Sequence, residues 1–207
     1  MKILICDNID ELGEDFVKWA EGVLPEWRKE QMLSIKHLKG RVQCAVAYLL
    51  VEYCRDKACL VSTGRDINKS TLWRYNEHGK PYFDGRDDLF FSVSHCGGAV
   101  AVAIDDKEVG VDIEEIGRYR ESLVNYVLNE DECRDKACLV RTGRDDEKAA
   151  SFIEIWTKKE AVFKLLGTGI THEIKDVLVK HPEVRVYSYR IGDRFLSVAT
   201  RKDIDNE

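Results

Sequence analysis

The sequence predicts an α+β protein, in which antiparallel strands and separate helices build one fold. Residues 109–114 alternate apolar and polar side chains with the period of two that is typical of a strand. Residues 152–166 place apolar side chains at near-helical spacing, which indicates an amphipathic helix. Residues 89–93 and 99–104 are short apolar runs separated by small, flexible residues, which favours an antiparallel pair.

Composition and charge limit the classes of protein that the chain can represent. The 207 residues are 44% hydrophobic and 34% charged, which is an ordinary globular balance for one domain or two small ones. A net charge of −6 argues against broad nonspecific binding to nucleic acid. An acidic protein partner would need a local basic or apolar patch.

The N-terminus and the cysteines indicate a cytoplasmic protein without a membrane segment. The first seven residues are too short and too soon charged for a signal peptide. No apolar run approaches the roughly eighteen residues of a membrane-spanning helix. Seven cysteines, an odd number, in a chain without a secretory signal favour reduced thiols.

Taken in chain order, the remaining elements start with a strand within residues 1–10 and a short helix over 12–22. Pro25 marks the start of a second helix, since proline is favoured at the first helical position. The apolar run 42–51 predicts a buried helix. The other expected elements are a strand over 71–75, a helix over 121–129, strands over 177–179, 184–190 and 195–200, and a frayed tail over 201–207.

Residues 54–66 recur almost unchanged as residues 133–145, with Ser62 replaced by Arg141 as the one difference. A solenoid unit would be longer and repeated more often. The paired Cys-x₄-Cys spacings could supply four thiolate ligands, although no short Cys-x-x-Cys knuckle is present. A local duplication and a flaw in the recorded sequence both remain open.

The strand at 109–114 carries the first candidate site residues. Gly110, Asp112 and Glu114 fall on one face, because successive strand side chains point to opposite sides. The two carboxylates would then lie roughly 7 Å apart. Gly110 leaves room on that face for a close approach. The alternative interpretation is a solvated strand face.

The helix at 152–166 carries the second set. Glu160 borders the apolar stripe, where a carboxylate loses hydration and needs a cation, a metal or a hydrogen-bond network. Lys164 follows one turn later on the same face, so an ordinary helical ion pair is the alternative. Together with Asp112 and Glu114, Glu160 completes a set of hard oxygen ligands that suits Mg²⁺.

Three cationic or anion-binding features complete the candidates. Lys80 stands on a stiff Gly-Lys-Pro turn, where it could grip a phosphate or simply mark an exposed hairpin tip. His95 ends a strand beside Cys96-Gly97-Gly98 and could donate to a phosphate oxygen or be structural. The basic residues between Arg28 and Arg41 form a charged cluster, for which an ordinary solvated face is the simplest interpretation.

Four blocks of sequence occur in the order found in a known family. They are Gly-Lys-Pro-Tyr-Phe at 79–83, Phe-Ser-Val-Ser-His-Cys-Gly at 91–97, Val-Gly-Val-Asp-Ile-Glu at 109–114, and Trp-Thr-Lys-Lys-Glu-Ala-Val-Phe-Lys at 156–164. The chain resembles the 4′-phosphopantetheinyl transferases, and its length favours the two-halved Sfp-like group. The resemblance implies a monomer with pseudo-twofold halves at 1–105 and 106–207.

Each half would pack an antiparallel sheet on a long helix, provided by residues 42–51 and 121–129 respectively, with the active site in the cleft between them. The implied activity transfers 4′-phosphopantetheine from coenzyme A to a serine of an apo acyl or peptidyl carrier protein. Adenosine 3′,5′-bisphosphate would be released. Which carrier is modified stays open. A catalytically silent carrier-binding homologue and a magnesium-dependent phosphoesterase are the alternatives.

The resemblance also implies roles for residues of this chain. Asp112, Glu114 and Glu160 would hold Mg²⁺, with direct coordination by Glu114 left open against a bridging water. Glu160 would be the general base, and Lys164 and Asp112 would share the catalytic set. The implied coenzyme A ligands are Arg41, Lys80, Pro81, Ser94, His95, Lys159 and Lys164.

Overall fold

A computed structural model describes residues 1–62, 72–134 and 145–202. The strands in these ranges are β1 Lys2–Cys6, β2 Trp73–Tyr75, β3 Pro81–Phe83, β4 Phe90–His95, β5 Val100–Asp105, β6 Val109–Glu115, β7 Val184–Ile191 and β8 Arg194–Arg201. The α-helices are α1 Glu14–Val23, α2 Glu26–Ser34, α3 Leu38–Ser62, α4 Val124–Val127, α5 Asp145–Leu166 and α6 Val177–Lys180, and residues 130–134 are also helical. Every strand pairing in these ranges is antiparallel, so the α+β class is confirmed.

The first sheet has the order β1-β5-β4 and lies against helix α3. Val42, Ala45 and Val51 recur at helical spacing on α3 and are fully buried. They join apolar side chains of β4 and β5 in one core. The two-stranded hairpin of β2 and β3 closes this core, since Trp73 and Phe83 pack on Phe91.

The second sheet has the order β6-β8-β7 and lies against helix α5. Its buried core combines apolar side chains of α5, such as Phe152 and Leu165, with Ala199 of β8. Thr157 of α5 meets Ser197 of β8 through a hydroxyl hydrogen bond of 2.8 Å. Helix α5 therefore spans the sheet on the side of β6 and β8, where it can present Glu160 to the strand carboxylates.

Two serines join the two sheets along β4 and β6. The backbone N–H of Val111 donates to the Ser92 hydroxyl at 3.0 Å, and that of Ile113 donates to the Ser94 hydroxyl at 3.3 Å. Alanines and valines from both sheets form a further buried cluster behind this seam. The seam places β6 beside β4, where the Ser94 hydroxyl donates to Asp112 and the Gly98 N–H, in the loop after His95, donates to Glu115.

Several expectations on secondary structure need correction. The helix expected over 121–129 is confirmed only in part, because a 3₁₀ turn at Glu121–Leu123 leads into one short helix, α4, and the chain becomes extended at Leu128. The expectation that this is the long helix of the second half is wrong. The long helix of the second sheet is α5. The strand expected over 177–179 is also wrong, because the Asp176 carbonyl accepts the N–H groups of Val179 and Lys180 in a short helix.

Strand β4 continues through His95, so the loop expected at Ser94 begins two residues later. The other strands and helices expected from the sequence are confirmed, with most ends shifted by a few residues, while α3 and α5 are longer than the expected 42–51 and 152–166. Parts of both near-identical segments, residues 63–66 and 135–144, and the end of the tail lie outside the described residues. None of the helices in the described ranges combines the length and apolar character needed to cross a bilayer.

Candidate active site

Glycine at position 110 sets the spacing between strand β6 and helix α5. A Cβ placed on Gly110 would overlap the carbonyl oxygen of Ala161 and would lie 2.5 Å from the Leu165 amide nitrogen. The close approach expected at this glycine is therefore made by the backbone of the helix itself. Because Ala161 follows Glu160, this contact brings Glu160 to the strand that carries Asp112.

Asp112 is buried and lies at the centre of a polar network. Its Oδ1 accepts one hydrogen bond from the Lys164 ammonium and one from the Ser94 hydroxyl, each at 2.7 Å. The ion pair of Lys164 thus links helix to strand, which differs from the pair with Glu160 that the spacing suggested. The second carboxylate oxygen, Oδ2, is buried without a hydrogen-bond partner among the described residues.

Glu114 and Glu160 border the same network. Burial, followed by the negative charge of Asp112, raises the pKa of each carboxyl to about 7, and the Lys164 ammonium opposes this rise. Glu114 also buries an oxygen, Oε2, that has no hydrogen-bond partner within the described chain. The three carboxylates therefore lie close enough to repel one another in a poorly solvated site.

The donor set fits Mg²⁺, which prefers carboxylate oxygens and retains some of its waters. Within the described residues, no three Asp, Glu, His or Cys side chains are already gathered into a metal-binding group. The two unpartnered oxygens on Asp112 and Glu114 and the raised pKa of Glu160 are nevertheless what a bound cation would relieve. The arrangement is a loose carboxylate set rather than a preformed cage.

The raised pKa of Glu160 predicts a pH dependence of stability in the metal-free protein. Folding raises this pKa from 4.5 to about 7, so the folded state binds the proton more tightly than the unfolded chain does. Its contribution is complete below about pH 4.5 and is lost as the pH rises to 7. We expect the free energy of unfolding to fall by about 2 kcal/mol across this range, after allowance for solvent screening.

The measurement is urea unfolding with a chelator present, for the wild type and Glu160→Gln, at several pH values. The difference in unfolding free energy between the two proteins isolates Glu160 and should change across this window. Glu154→Gln, one to two turns earlier on α5, serves as the control. Its unfolding free energy should change with pH in the same way as that of the wild type. A wild-type minus Glu160→Gln difference that is constant with pH contradicts the assignment.

Two adjoining cavities form the cleft in front of these carboxylates. The smaller, of about 240 Å³, lies between the β2–β3 hairpin and α5 and includes Lys80, Glu160 and Lys164 in its lining. The larger, of about 430 Å³, lies beside α2, α3 and β4. Pro81 and Val93 line both cavities, so the two lie side by side.

The larger cavity contains residues that the motifs did not single out as ligands. Arg28 is buried, lies 4.8 Å from the centroid of a Trp73 ring, and donates to the Cys44 carbonyl at 2.7 Å. Gln31 and Gln43 add amide groups to the same lining. The basic composition of this segment was a weak signal for Arg28, whereas nothing in the sequence marked the two glutamines.

His95 and Lys80 both reach the cleft. His95 lines the larger cavity, and burial together with the nearby Lys164 ammonium lowers the pKa of its imidazole. The Lys80 ammonium donates to the Leu165 carbonyl at 2.6 Å, and burial lowers the pKa of Lys80. Each group can therefore donate a hydrogen bond to a ligand from a partly desolvated position.

Arg41 lies beside the larger cavity. Its guanidinium donates to the Ile35 carbonyl at 2.8 Å, while its neighbours Gly40 and Gln43 line the cavity wall. Ser94 is buried, and its hydroxyl holds Asp112. The structure thus brings most of the expected site residues to this cleft, with Arg41 at its edge: Lys80, Pro81, Ser94, His95, Asp112, Glu114, Glu160 and Lys164.

Lys159 is not brought to the cleft. Its side chain is fully buried, and the ammonium donates to the Val127 carbonyl, the Lys175 carbonyl and the Glu132 carboxylate, each at 2.7 Å. Adjacent residues of a helix point in directions about 100° apart, so Lys159 faces away from the side that Glu160 presents. The lysine instead joins α5 to the end of α4, to the segment that follows α4, and to Lys175.

Replacing this lysine is expected to destabilise the fold strongly. Lys159→Met removes the ammonium group that donates to Glu132 and to two backbone carbonyls. These three acceptors then lose their donor in the protein interior. We expect a loss of about 3 kcal/mol or more in unfolding free energy, because breaking a buried ion pair leaves an uncompensated charge. Chemical denaturation followed by circular dichroism measures the loss.

Lys158→Met is the matched control, since its ammonium pairs with Glu154 at a partly exposed position on the same helix. This control should change the unfolding free energy by less than about 1 kcal/mol. If the two substitutions lower the unfolding free energy equally, the buried contacts of Lys159 stabilise the fold no more than the partly exposed ion pair of Lys158.

Carboxylates from a strand and a helix that face a cleft with cationic groups are typical of enzymes that act on phosphorylated substrates. Residues 108–205 match the family model of the 4′-phosphopantetheinyl transferase superfamily. This stretch of the chain therefore belongs to that superfamily, and the family prediction from the sequence motifs is confirmed.

Individual relatives agree with this assignment. The chain is 29% identical over 123 residues to the 4′-phosphopantetheinyl transferase gsp of Aneurinibacillus migulanus, covering 59% of this chain and 49% of the relative. It is 39% identical over 97 residues to AcpT of Salmonella typhimurium, covering 45% and 48%. It is 30% identical over 116 residues to psf-1 of Bacillus pumilus, covering 56% and 48%. The chain thus spans about half the length of these relatives.

Proposed function

We propose that this protein transfers 4′-phosphopantetheine from coenzyme A to a serine hydroxyl of an apo carrier protein. One observation carries the proposal: Glu160, Lys80 and Lys164 line one cleft, and the Lys164 ammonium there pairs with the buried Asp112 of β6. The similarity to proteins named 4′-phosphopantetheinyl transferases supports the same reaction.

The two cavities suit the two ends of coenzyme A. The larger one offers Arg28, His95 and amide side chains, which can bind a nucleotide with its phosphate group. The smaller one places Lys80 and Lys164 where a pyrophosphate would pass. Since Pro81 and Val93 border both cavities, one extended ligand can occupy them together.

The reaction forms a bond between the serine oxygen and the β-phosphorus. The bond from that phosphorus to the bridging oxygen breaks, and adenosine 3′,5′-bisphosphate leaves with the electron pair. Glu160 accepts the serine proton, as a carboxylate held at the edge of the cleft. Lys164 steadies the pyrophosphate charge from the next turn of the helix.

Asp112, Glu114 and Glu160 would hold Mg²⁺, which when bound supplies neutralisation of the pyrophosphate charge. Ser94 keeps Asp112 oriented through its 2.7 Å hydrogen bond. Arg41 lies at the edge of the larger cavity, where it would bind a phosphate group of the nucleotide. Lys159 has no part in this proposal, because its ammonium is already bound elsewhere.

We further propose that the chain is a cytoplasmic monomer of two related halves, 1–105 and 106–207, as the family resemblance implies. In support, each sheet packs on its own long helix, α3 for β1-β5-β4 and α5 for β6-β8-β7. The first half supplies the nucleotide cavity and the second supplies the carboxylates.

The test incubates the protein with coenzyme A, Mg²⁺ and an apo carrier domain, and measures the carrier by mass spectrometry. The expected result is an increment of one phosphopantetheine together with release of adenosine 3′,5′-bisphosphate. Release of the bisphosphate without a modified carrier would favour a phosphoesterase. Tight carrier binding without any product would favour a silent binding protein.

A further inference from the structure

The side-chain amide of Asn76 connects the β2–β3 hairpin to the C-terminal end of α5. Its Oδ1 accepts the backbone N–H groups of His78, at 3.0 Å, and Lys80, at 2.8 Å. Its Nδ2 donates to the Gly167 carbonyl at 2.8 Å, although Gly167 is 91 residues away in the chain. One side chain therefore shapes the turn with its acceptor and holds the helix end with its donor.

The partner of this amide is the C-terminal end of α5. The last carbonyls of a helix have no partner within the helix, so donors from other elements stabilise them. Asn76 serves the Gly167 carbonyl, and the Lys80 ammonium serves the Leu165 carbonyl at 2.6 Å. Together the two donors close the last turn of the helix that carries Glu160 and Lys164.

Gly167 permits this close contact. Its backbone has a φ of +71°, in the left-handed region that favours glycine. A Cβ at this position would lie 2.9 Å from Lys80 Cδ and 3.1 Å from Asn76 Nδ2. The hairpin thus contacts the C-terminal end of α5 directly. Residues from both the hairpin and this end of the helix line the smaller cavity.

We propose that Asn76 is a positioning residue that fixes the location of Lys80 relative to Glu160 and Lys164. This inference rests on the proposed function, since it assigns Lys80 to the coenzyme A phosphates. A lysine side chain is long and flexible, so its ammonium alone does not define where the hairpin stands. The Asn76 amide is short, and it fixes both the turn before Lys80 and the distance from that turn to α5.

Asn76→Asp tests this role, because aspartate keeps the acceptor that shapes the turn but loses the donor to Gly167. Asn76→Ala removes the donor without adding a charge, and it also removes the acceptor of the turn. For Asn76→Asp we expect the Kd of coenzyme A, measured by calorimetry, and its KM to rise about tenfold, the cost of one lost hydrogen bond, and for Asn76→Ala we expect a rise at least as large. The kcat at saturating coenzyme A should stay within about twofold of the wild type.

Glu77→Ala is the control in the same turn, since the Glu77 side chain is 86% exposed. It should leave the Kd, KM and kcat unchanged. A merely structural role would lower the melting temperature of the Asn76 variants without changing the coenzyme A affinity of the folded protein.

Unchanged Kd and KM in both Asn76 variants would overturn the inference even if the wild type transfers phosphopantetheine. A wild type that binds coenzyme A but transfers nothing would overturn the proposed function alone, and the shift in Kd would still decide the role of Asn76. A wild type that neither binds nor transfers would overturn both.

Discussion

Glu160→Gln is expected to lower the turnover number by at least about 10³-fold while the protein stays folded. Glutamine keeps the size of the side chain and an oxygen that can accept a hydrogen bond, but it cannot take up the serine proton at neutral pH. It also removes one charge from the carboxylate set. The loss should therefore appear in kcat, whereas the Kd of coenzyme A should change by less than about threefold.

The measurement is the initial rate of carrier modification at saturating coenzyme A, combined with calorimetric binding of coenzyme A. Glu154→Gln is the matched control, because Glu154 lies on the same helix and pairs with Lys158 away from the cleft. The control should retain nearly full activity. An active Glu160→Gln enzyme would remove the general-base assignment.

Gly110→Ala is expected to cost about 4 kcal/mol or more of unfolding free energy. The added methyl group would overlap the Ala161 carbonyl oxygen and approach the Leu165 amide nitrogen to 2.5 Å. Both are backbone atoms of a helix, so relief requires the whole of α5 to move away from β6. The same movement would separate Glu160 from Asp112 and should lower activity as well.

Urea unfolding measures the stability loss, and Gly22→Ala provides the control. Gly22 lies within α1 and has open space where an added methyl group would stand, so alanine there should be neutral or stabilise by about 0.5 kcal/mol. A stable and fully active Gly110→Ala protein would contradict the close contact of strand and helix.

The parts of the fold that the sequence predicted correctly are those with a clear local period. The alternation at 109–114 placed Gly110, Asp112 and Glu114 on one strand, and the apolar stripe placed Glu160 and Lys164 on one helix. The convergence of these two elements was not a local property. It depends on the bare glycine backbone at 110 and on serines of β4, which spacing alone does not reveal.

The failures arose where tertiary contacts override local pattern. Residues 177–179 are apolar and partly β-branched, which favours a strand, yet backbone hydrogen bonds to the Asp176 carbonyl and packing on α5 accompany a helix. Lys159 sits within the family motif, but its direction from the helix axis takes it to Glu132 and two carbonyls. The motif sets Lys159 next to Glu160 in the sequence, but the helical step of about 100° turns the two side chains to different sides of α5.

The central claim is that the carboxylates of β6 and α5 act as one cation site. Electron paramagnetic resonance of Mn²⁺, in the presence of coenzyme A, measures this directly for the wild type, Asp112→Asn, Glu160→Gln and the double variant. We predict that Mg²⁺ displaces the bound Mn²⁺, and that each single change weakens binding at least about tenfold, with the double variant little worse than either. Independent, additive losses, or unweakened Mn²⁺ binding in both single variants, would contradict the shared site.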